Sequence, residues 1–211
     1  MAAKGNTKQE ILKAALELFS VQGYEATSIS QIADAVGIRK ASLYSHFDSK
    51  QLILDTLIQT VLEQYEKHSV FSNANRDDPD AAGSMTAETV VQLLSGHIHY
   101  ILHDPMVCQA RKMLVIEQFQ NPQMARLQTK QNYSDVMDYC TDLVRRLIRQ
   151  GKLRDCDAEM MAAQLCLPVS VWINLCDREP ERENDVMKLI ERHIRQFFEI
   201  YCVPEKRENL R

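Results

Sequence analysis

Glycine and proline are scarce in this chain of 211 residues, with six of each. Segments in which Val, Ile and Thr alternate with polar residues are nearly absent, and this argues against β-strands. Between the few glycines and prolines, apolar residues instead recur at spacings of three and four. These features predict an all-α protein with about nine helices.

Three further absences exclude classes of protein. The longest nearly apolar run, residues 160–176, contains polar interruptions and is shorter than the roughly 20 residues of a membrane span, so no membrane segment is predicted. The amino terminus has no apolar leader, and the six cysteines form no C-x-x-C pair, which favours reduced thiols in the cytoplasm. The formal net charge of -4 excludes a generally basic nucleic-acid-binding protein, so that any DNA contact has to be local.

The amino-terminal part carries the more basic share of the charge. Residues 1–50 contain six Lys and Arg against five Asp and Glu, whereas residues 51–211 contain 19 against 24. Residues 72–84 have the composition of a loop between helices. A local DNA-binding surface is therefore expected in the first fifty residues.

Three helical patterns fill these fifty residues. The first has a capping-box start at Thr7 and ends at Gly23, and the second ends at Gly37. A third short helix follows, with Leu43 and Phe47 on its inward face. Two short helices across a tight turn, braced by a longer helix, are the helix-turn-helix arrangement, whose second helix enters the DNA major groove.

Polar residues around the third helix have the chemistry of DNA contact. Arg39 and Lys40 can neutralise phosphates or reach guanine, and Ser42 can meet a base edge or a phosphate. The Tyr44 hydroxyl can donate to a phosphate, and Lys50 lies at the start of a further helix, where free amides favour an anion. The alternative interpretation is a solvated charged face on three small helices.

A set of residues at fixed spacing makes the pattern more specific. It comprises Ala14, Ala15, Leu18, Phe19, Gly23, Tyr24, Thr27, Ser28, Ile32, Ala33, Gly37, Ile38, Leu43, Tyr44, Phe47 and Lys50. With these residues, the segment 11–54 resembles the amino-terminal domain of the tetracycline-repressor (TetR) family of transcriptional regulators. The chain departs from the usual family pattern at Arg39, where Ser or Thr often caps the third helix, and at Ala41, often glycine in relatives.

The resemblance implies a DNA-binding domain at residues 1–50 and a ligand-binding and dimerisation domain at residues 51–211. By this analogy the DNA-side residues are Thr27, Ser28, Arg39, Lys40, Ser42, Tyr44, His46 and Lys50. The last helices are expected to form a homodimer interface. Two third helices about 34 to 36 Å apart then require an inverted-repeat operator in double-stranded DNA. The implied function is cytoplasmic transcriptional repression relieved by a small-molecule effector, without enzymatic activity.

The second domain is predicted to contain six helices, at residues 51–70, 86–103, 106–119, 122–150, 158–177 and 184–203. Its middle helices combine soft apolar side chains with a few polar ends, which predicts a mainly apolar or aromatic effector. The candidate ligand-binding residues are His97, Tyr100, Ile101, Met113, Phe119, Tyr133, Met137 and Trp172. Core packing is the competing explanation for each of them.

Two other patterns in the sequence suggest different kinds of site. His99 and His103 have the i, i+4 spacing of zinc-binding histidines but lack the adjacent glutamate, so neither a metal nor a cofactor is predicted. Cys108 follows a predicted helix start, which lowers thiol pKa values, although buried inert cysteine is the commoner role. The alternative function is a redox-sensing or protein-protein interaction module without effector-gated DNA binding.

Overall fold

Ten α-helical segments make up the computed structural model, which describes residues 4–69, 71 and 86–203. They are α1 (Lys4–Gln22), α2 (Ile29–Val36), α3 (Lys40–Tyr44), α4 (Lys50–His68), α5 (Ala87–His103), α6 (Pro105–Glu117), α7 (Pro122–Thr129), α8 (Asp135–Arg149), α9 (Ala158–Arg178) and α10 (Glu183–Tyr201). Across these ranges there is no β-strand, only an isolated bridge between Leu153 and Cys202. The all-α class is confirmed, and the expected loop at 72–84 lies outside the described residues.

The predicted helix at residues 122–150 consists of α7 and α8 joined by a π-helical turn, Lys130–Ser134. Counted as one continuous helix, these segments give the nine helices expected for the described part of the chain. The predicted start of the first helix at Thr7 is wrong. The helix is already formed at Lys4, and Thr7 lies inside its first turn. Capping-box spacing is a local signal. Residues 4–6 contain no proline, so the helix can begin before Thr7.

Glycines end the helices where the sequence predicts. Gly23, Gly37 and Gly151 have φ values of +85°, +75° and +71°, in the left-handed region that glycine enters without steric cost. Gly23 and Gly37 directly follow α1 and α2, and Gly151 follows Gln150, the residue after the end of α8. The turns on both sides of α2 are thereby set by sequence.

Packing divides the chain into two compact units, the first comprising Met1–Ser72 with Tyr100–Lys130 and the second Asn73–His99 with Gln131–Arg211. In the first unit, α6 lies along α1, and one apolar core joins α1, α2, α3, α4, α6 and α7. The fully buried members of that core include Ile11, Phe19, Ile32, Leu43, Ile53, Leu54 and Met113. The functional boundary after residue 50 stays a prediction, because packing groups α6 and α7 with the amino-terminal helices.

In the second unit, α9 packs against both α8 and α10. Its core includes Val144, Leu147, Met161, Leu165, Val169, Ile190, Ile194 and Phe197. Among the described helices, α9 alone is long and apolar enough to cross a membrane, by length and composition only. Its buried face contacts two neighbouring helices, as the core helix of a folded domain does.

Candidate DNA-binding surface

The second helix is held by caps at both ends. The Ser28 hydroxyl accepts a hydrogen bond from the Gln31 amide at 3.2 Å, and the Gln31 side chain accepts from the Ser28 amide at 2.7 Å. At the other end Gly37 adopts the left-handed conformation, and its amide bonds back to α2. The chain then turns through Ile38 into α3. This is the tight connection that a helix-turn-helix requires.

The third helix buries one side and exposes the other. Leu43 and Phe47 are buried in the core, whereas Arg39, Lys40 and Ser42 are exposed. Arg39 occupies the cap position without a side-chain cap hydrogen bond, so its guanidinium is not used to begin the helix. Tyr44, with 44% of its surface exposed, lies one turn beyond Lys40. The structure therefore brings four of the eight predicted DNA-side residues onto or beside one short helix.

Thr27 differs from that group. Thr27 is 1% exposed. Its hydroxyl donates to the Gly23 carbonyl at 2.7 Å and accepts from the side-chain amide Nε2 of Gln22 at 3.0 Å. Ser28 is exposed, but its hydroxyl caps α2. His46 is half-buried just after α3. DNA contact by these three residues stays a prediction, and the structure gives Thr27 and Ser28 roles within the fold.

Lys50 is also engaged within the protein. Its ammonium donates to the carbonyls of Tyr24 at 2.7 Å and Thr27 at 3.0 Å, and it lies 4.1 Å from the centre of the Tyr24 ring. The sequence predicts a phosphate contact at this position, which stays a prediction. What the structure shows is an ammonium that binds the α1–α2 turn to the start of α4.

Tyr24 is the residue on which these contacts converge. Its ring packs edge-on against Phe19, and its hydroxyl donates to the Gln51 side chain at 3.0 Å. Burial, followed by the charges of nearby carboxylates, raises the pKa of Tyr24. Sequence reasoning matched Tyr24 to the family pattern but missed this structural role.

Glu117, at the end of α6, binds the same turn from another helix. Its buried carboxylate accepts a hydrogen bond from the Tyr24 amide at 2.7 Å, although 93 residues separate the two in sequence. The same oxygen lies 3.0 Å from the position that a Cβ on Gly23 would take. A signal was available in the sequence: Glu117 follows Met113 and Leu114 on the buried side of α6, and a carboxylate there needs a polar partner.

The eight candidate ligand-binding residues divide equally between the two units. In the first unit Met113 is fully buried in the core, and Phe119 is 86% exposed. Tyr100 is half-buried against the His68 ring, and burial, then the Asp104 carboxylate, raises its pKa. Ile101 is half-buried in α5. Their role in ligand binding stays a prediction.

In the second unit the candidates occupy different settings. Met137 is buried on α8 and contacts Cys166, whereas Tyr133 is exposed in the π-helical turn. Trp172 packs edge-on against His193 at 5.3 Å, and His97 is half-buried in α5. These placements show core packing for Met137 and leave its ligand role, like that of the other three, a prediction.

Residues 11–57 match the sequence profile of bacterial regulatory proteins of the tetR family. In this segment the chain is similar to the tetR family. A relative in Staphylococcus aureus (strain Newman), the HTH-type negative transcriptional regulator IcaR of the biofilm operon icaADBC, is 38% identical over 71 residues. That match covers 34% of this chain and 38% of IcaR. The sequence resemblance is thus confirmed, and the family profile matches at residues 11–57.

Solved structures extend the TetR-family likeness to nearly the whole fold. A TetR transcriptional regulator from Chloroflexus aurantiacus aligns with a TM-score of 0.67 at 22% identity, covering 96% of this chain and all of that one. A transcriptional regulator from Saccharomonospora viridis, solved in complex with choline, aligns with a TM-score of 0.61 at 20% identity, covering 95% of this chain and all of that one. At these identities the likeness concerns the fold alone.

Proposed function

We propose that this chain is a ligand-responsive transcriptional repressor of the TetR type that binds an inverted-repeat DNA operator as a homodimer. The observation that carries the proposal is α3, which exposes Lys40, Ser42 and Tyr44 while Leu43 and Phe47 fix it to the core. A helix-turn-helix places this element in the major groove. The name of IcaR describes that protein as a negative regulator, and we propose the same direction of regulation for this chain.

The exposed residues have different tasks at the operator. Phosphate contacts position a protein on DNA, and contacts to base edges choose the sequence. Arg39 and Lys40, at the start of α3, are placed to reach guanine or a phosphate, and Tyr44 supplies a hydroxyl one turn later. Ser42, between them, can bond to either. DNA contact by Lys50 is a weaker part of the proposal, because its ammonium already has carbonyl partners.

Dimerisation is supported by apolar surface on the last two helices. On α9, Val171 is 63% exposed and Met160 is also exposed, and on α10 Ile200 is exposed. Exposed apolar residues on a helix whose other side is core are typical of an interface between subunits. In a two-fold dimer the same patch on each subunit meets its copy.

The effector is proposed to be a small organic molecule, mainly apolar or aromatic in character. Choline in the Saccharomonospora viridis regulator is an example of a small molecule held by this fold. For this chain the candidates remain the eight residues given above. A DNA-binding regulator of this kind acts in the cytoplasm, and no enzymatic activity is proposed for it.

The test is operator binding followed by effector titration. Full-length protein is expected to shift a DNA fragment that carries an inverted repeat from the region upstream of its own coding sequence, and not a scrambled fragment of equal length. Lys40→Ala is expected to weaken this binding. Lys188→Ala, which removes an exposed lysine from α10, is the matched control and is expected to bind normally.

Effectors are then sought by thermal shift, and each stabilising compound is titrated into the operator complex. Coupling is reciprocal, so a compound that weakens DNA binding tenfold must itself bind tenfold more weakly when DNA is present. Absence of sequence-dependent DNA binding would contradict the repressor assignment. Stabilising compounds that leave operator affinity unchanged would contradict only its ligand response.

A further inference from the structure

Three sulfur atoms form a buried cluster between α8 and α9 in the second unit. Met137 and Cys140 lie three residues apart on α8, which places them one above the other on the same face. Cys166, on α9, donates a hydrogen bond from its thiol to the Met137 sulfur at 3.6 Å. The Cys140 and Cys166 side chains lie within hydrogen-bonding distance of each other. All three side chains are buried in the second unit.

The Cys166 thiol hydrogen points toward the Met137 sulfur, into the cluster. Metal–sulfur bonds to thiolates are about 2.3 Å long, and three sulfur atoms at that distance around a trigonal centre are about 4 Å apart. The observed 3.6 Å between Cys166 and Met137 is within a few tenths of an ångström of this spacing. An ion bound by the three sulfur atoms would replace the two thiol hydrogens.

We propose that Met137, Cys140 and Cys166 bind one soft monovalent metal ion of the copper(I) class. Two cysteine sulfurs and one thioether are soft ligands, which select copper(I) over ions that prefer oxygen. Structural zinc sites use four ligands in a tetrahedron, whereas this cluster supplies three. On binding, the two thiol protons leave to solvent, two thiolate–metal bonds and one thioether–metal bond form, and no oxidation state changes.

The sequence did not predict that these three residues lie together. Met137 was a candidate for apolar ligand contact, and Cys140 and Cys166 belonged to the cysteines expected to be inert. Twenty-six residues and a helix–helix connection separate Cys140 from Cys166, so spacing alone did not associate them. Met137 is also one of the candidate effector residues. The metal proposal does not depend on the repressor function, because copper(I) binding by three sulfur atoms requires neither DNA nor an organic effector.

The first experiment titrates copper(I) into reduced full-length protein without oxygen, in competition with a chromophoric copper(I) chelator. One ion per chain is expected to be retained. X-ray absorption of the wild-type complex is expected to show three sulfur scatterers at about 2.3 Å. This measurement needs no variant. A copper site with nitrogen or oxygen neighbours, or no retained copper, would overturn the proposal.

Variants then locate the site. Cys140→Ser and Cys166→Ser are each expected to weaken copper(I) binding at least tenfold, and Met137→Leu, which conserves volume, by a smaller factor. Cys176→Ser, a buried cysteine later on α9, is the matched control and is expected to bind as the wild type does. Circular dichroism confirms that each variant is folded.

Two other outcomes would also contradict the site. Loss of copper binding in Cys156→Ser, which changes the exposed cysteine, would place the ion on the surface. Recovery of a Cys140–Cys166 disulfide with no bound metal, after anaerobic loading and gel filtration, would make the pair a redox couple instead. Failure of copper binding would leave operator binding, tested separately, unaffected.

Discussion

Lys50, at the start of α4, has two competing uses, and they predict different behaviour. A phosphate contact would stabilise only the DNA complex. The hydrogen bonds from Lys50 to the carbonyls of Tyr24 and Thr27 are present in the free protein. Hydrogen bonds that involve a charged group contribute roughly 1.5–3 kcal/mol to stability when partly buried. The observed geometry therefore favours a loss of stability when Lys50 is removed.

Lys50→Ala is expected to lower the free energy of unfolding by roughly 1–3 kcal/mol. Lys40→Ala, at an exposed position, is expected to change it by less than about 0.5 kcal/mol. In the dependence of log K on log salt, Lys40→Ala should flatten the slope by about one phosphate per subunit. Urea unfolding and DNA titrations at several salt concentrations measure both quantities. An undiminished stability with a flattened slope for Lys50→Ala would restore the phosphate role that the sequence predicts.

Gly23 and Gly37 permit a matched comparison of two left-handed glycines. Both have positive φ, so Ala at either position carries backbone strain of roughly 1–2 kcal/mol. An added Cβ at Gly37 meets open space, whereas at Gly23 it would lie 3.0 Å from the Glu117 carboxylate oxygen. Gly23→Ala is therefore expected to destabilise the protein more than Gly37→Ala does, as measured by urea unfolding. Equal losses would show that the carboxylate moves aside without cost.

At the scale of elements, local patterns predicted most helices and missed how they are tied together. Helical periodicity and the stops at Gly23, Gly37 and Gly151 depend on neighbouring residues, so they can be read along the chain. The bond from Glu117 to the Tyr24 amide joins residues 93 positions apart, and no local pattern specifies such a partner. Local patterns also did not predict that a π-helical turn divides the helix at 122–150.

The contact of α6 with the α1–α2 turn predicts a graded response to changes at Glu117. Glu117→Leu removes the acceptor and leaves the Tyr24 amide without it, which costs about 1–3 kcal/mol in a buried setting. Glu117→Gln keeps a carbonyl acceptor of nearly the same shape and is expected to lose less. Hydrogen exchange at the Tyr24 amide should be faster in the Leu variant. Equal exchange in wild type and both variants would show that the bond does not hold the turn.

At the scale of the whole molecule, the sequence predicted the likeness to the tetR family and the all-α class but not the grouping of helices. The match to the tetR family covers residues 11–57, and the first compact unit adds residues 100–130 to it. Packing of α6 along α1 is responsible for this grouping. The exposed polar side of α3 could be predicted from the alternation of buried and exposed positions along the sequence. The burial of Thr27 and Met113 could not, because it depends on tertiary contacts.

Assembly is the property of the whole molecule that one matched pair of substitutions can test. Val171 on α9 and Val21 on α1 are both strongly exposed, with 63% and 82% of their surfaces accessible in the single chain. Only Val171 lies in the proposed dimer surface. A charge in the apolar centre of an obligate interface loses its hydration without gaining a partner, which costs several kcal/mol. Two-fold symmetry repeats this cost, because the patch meets its own copy.

Val171→Asp is therefore expected to shift full-length protein from dimer to monomer in light scattering at micromolar concentration, with weaker operator binding. Val21→Asp is expected to remain dimeric, since the new carboxylate stays in water. Circular dichroism distinguishes dissociation from unfolding in each variant. A Val171→Asp protein that stays folded, dimeric and fully active on its operator would place the subunit interface on a different surface of the chain. A wild-type protein that is monomeric would contradict the homodimer itself, because a single α3 can read only one half of an inverted repeat.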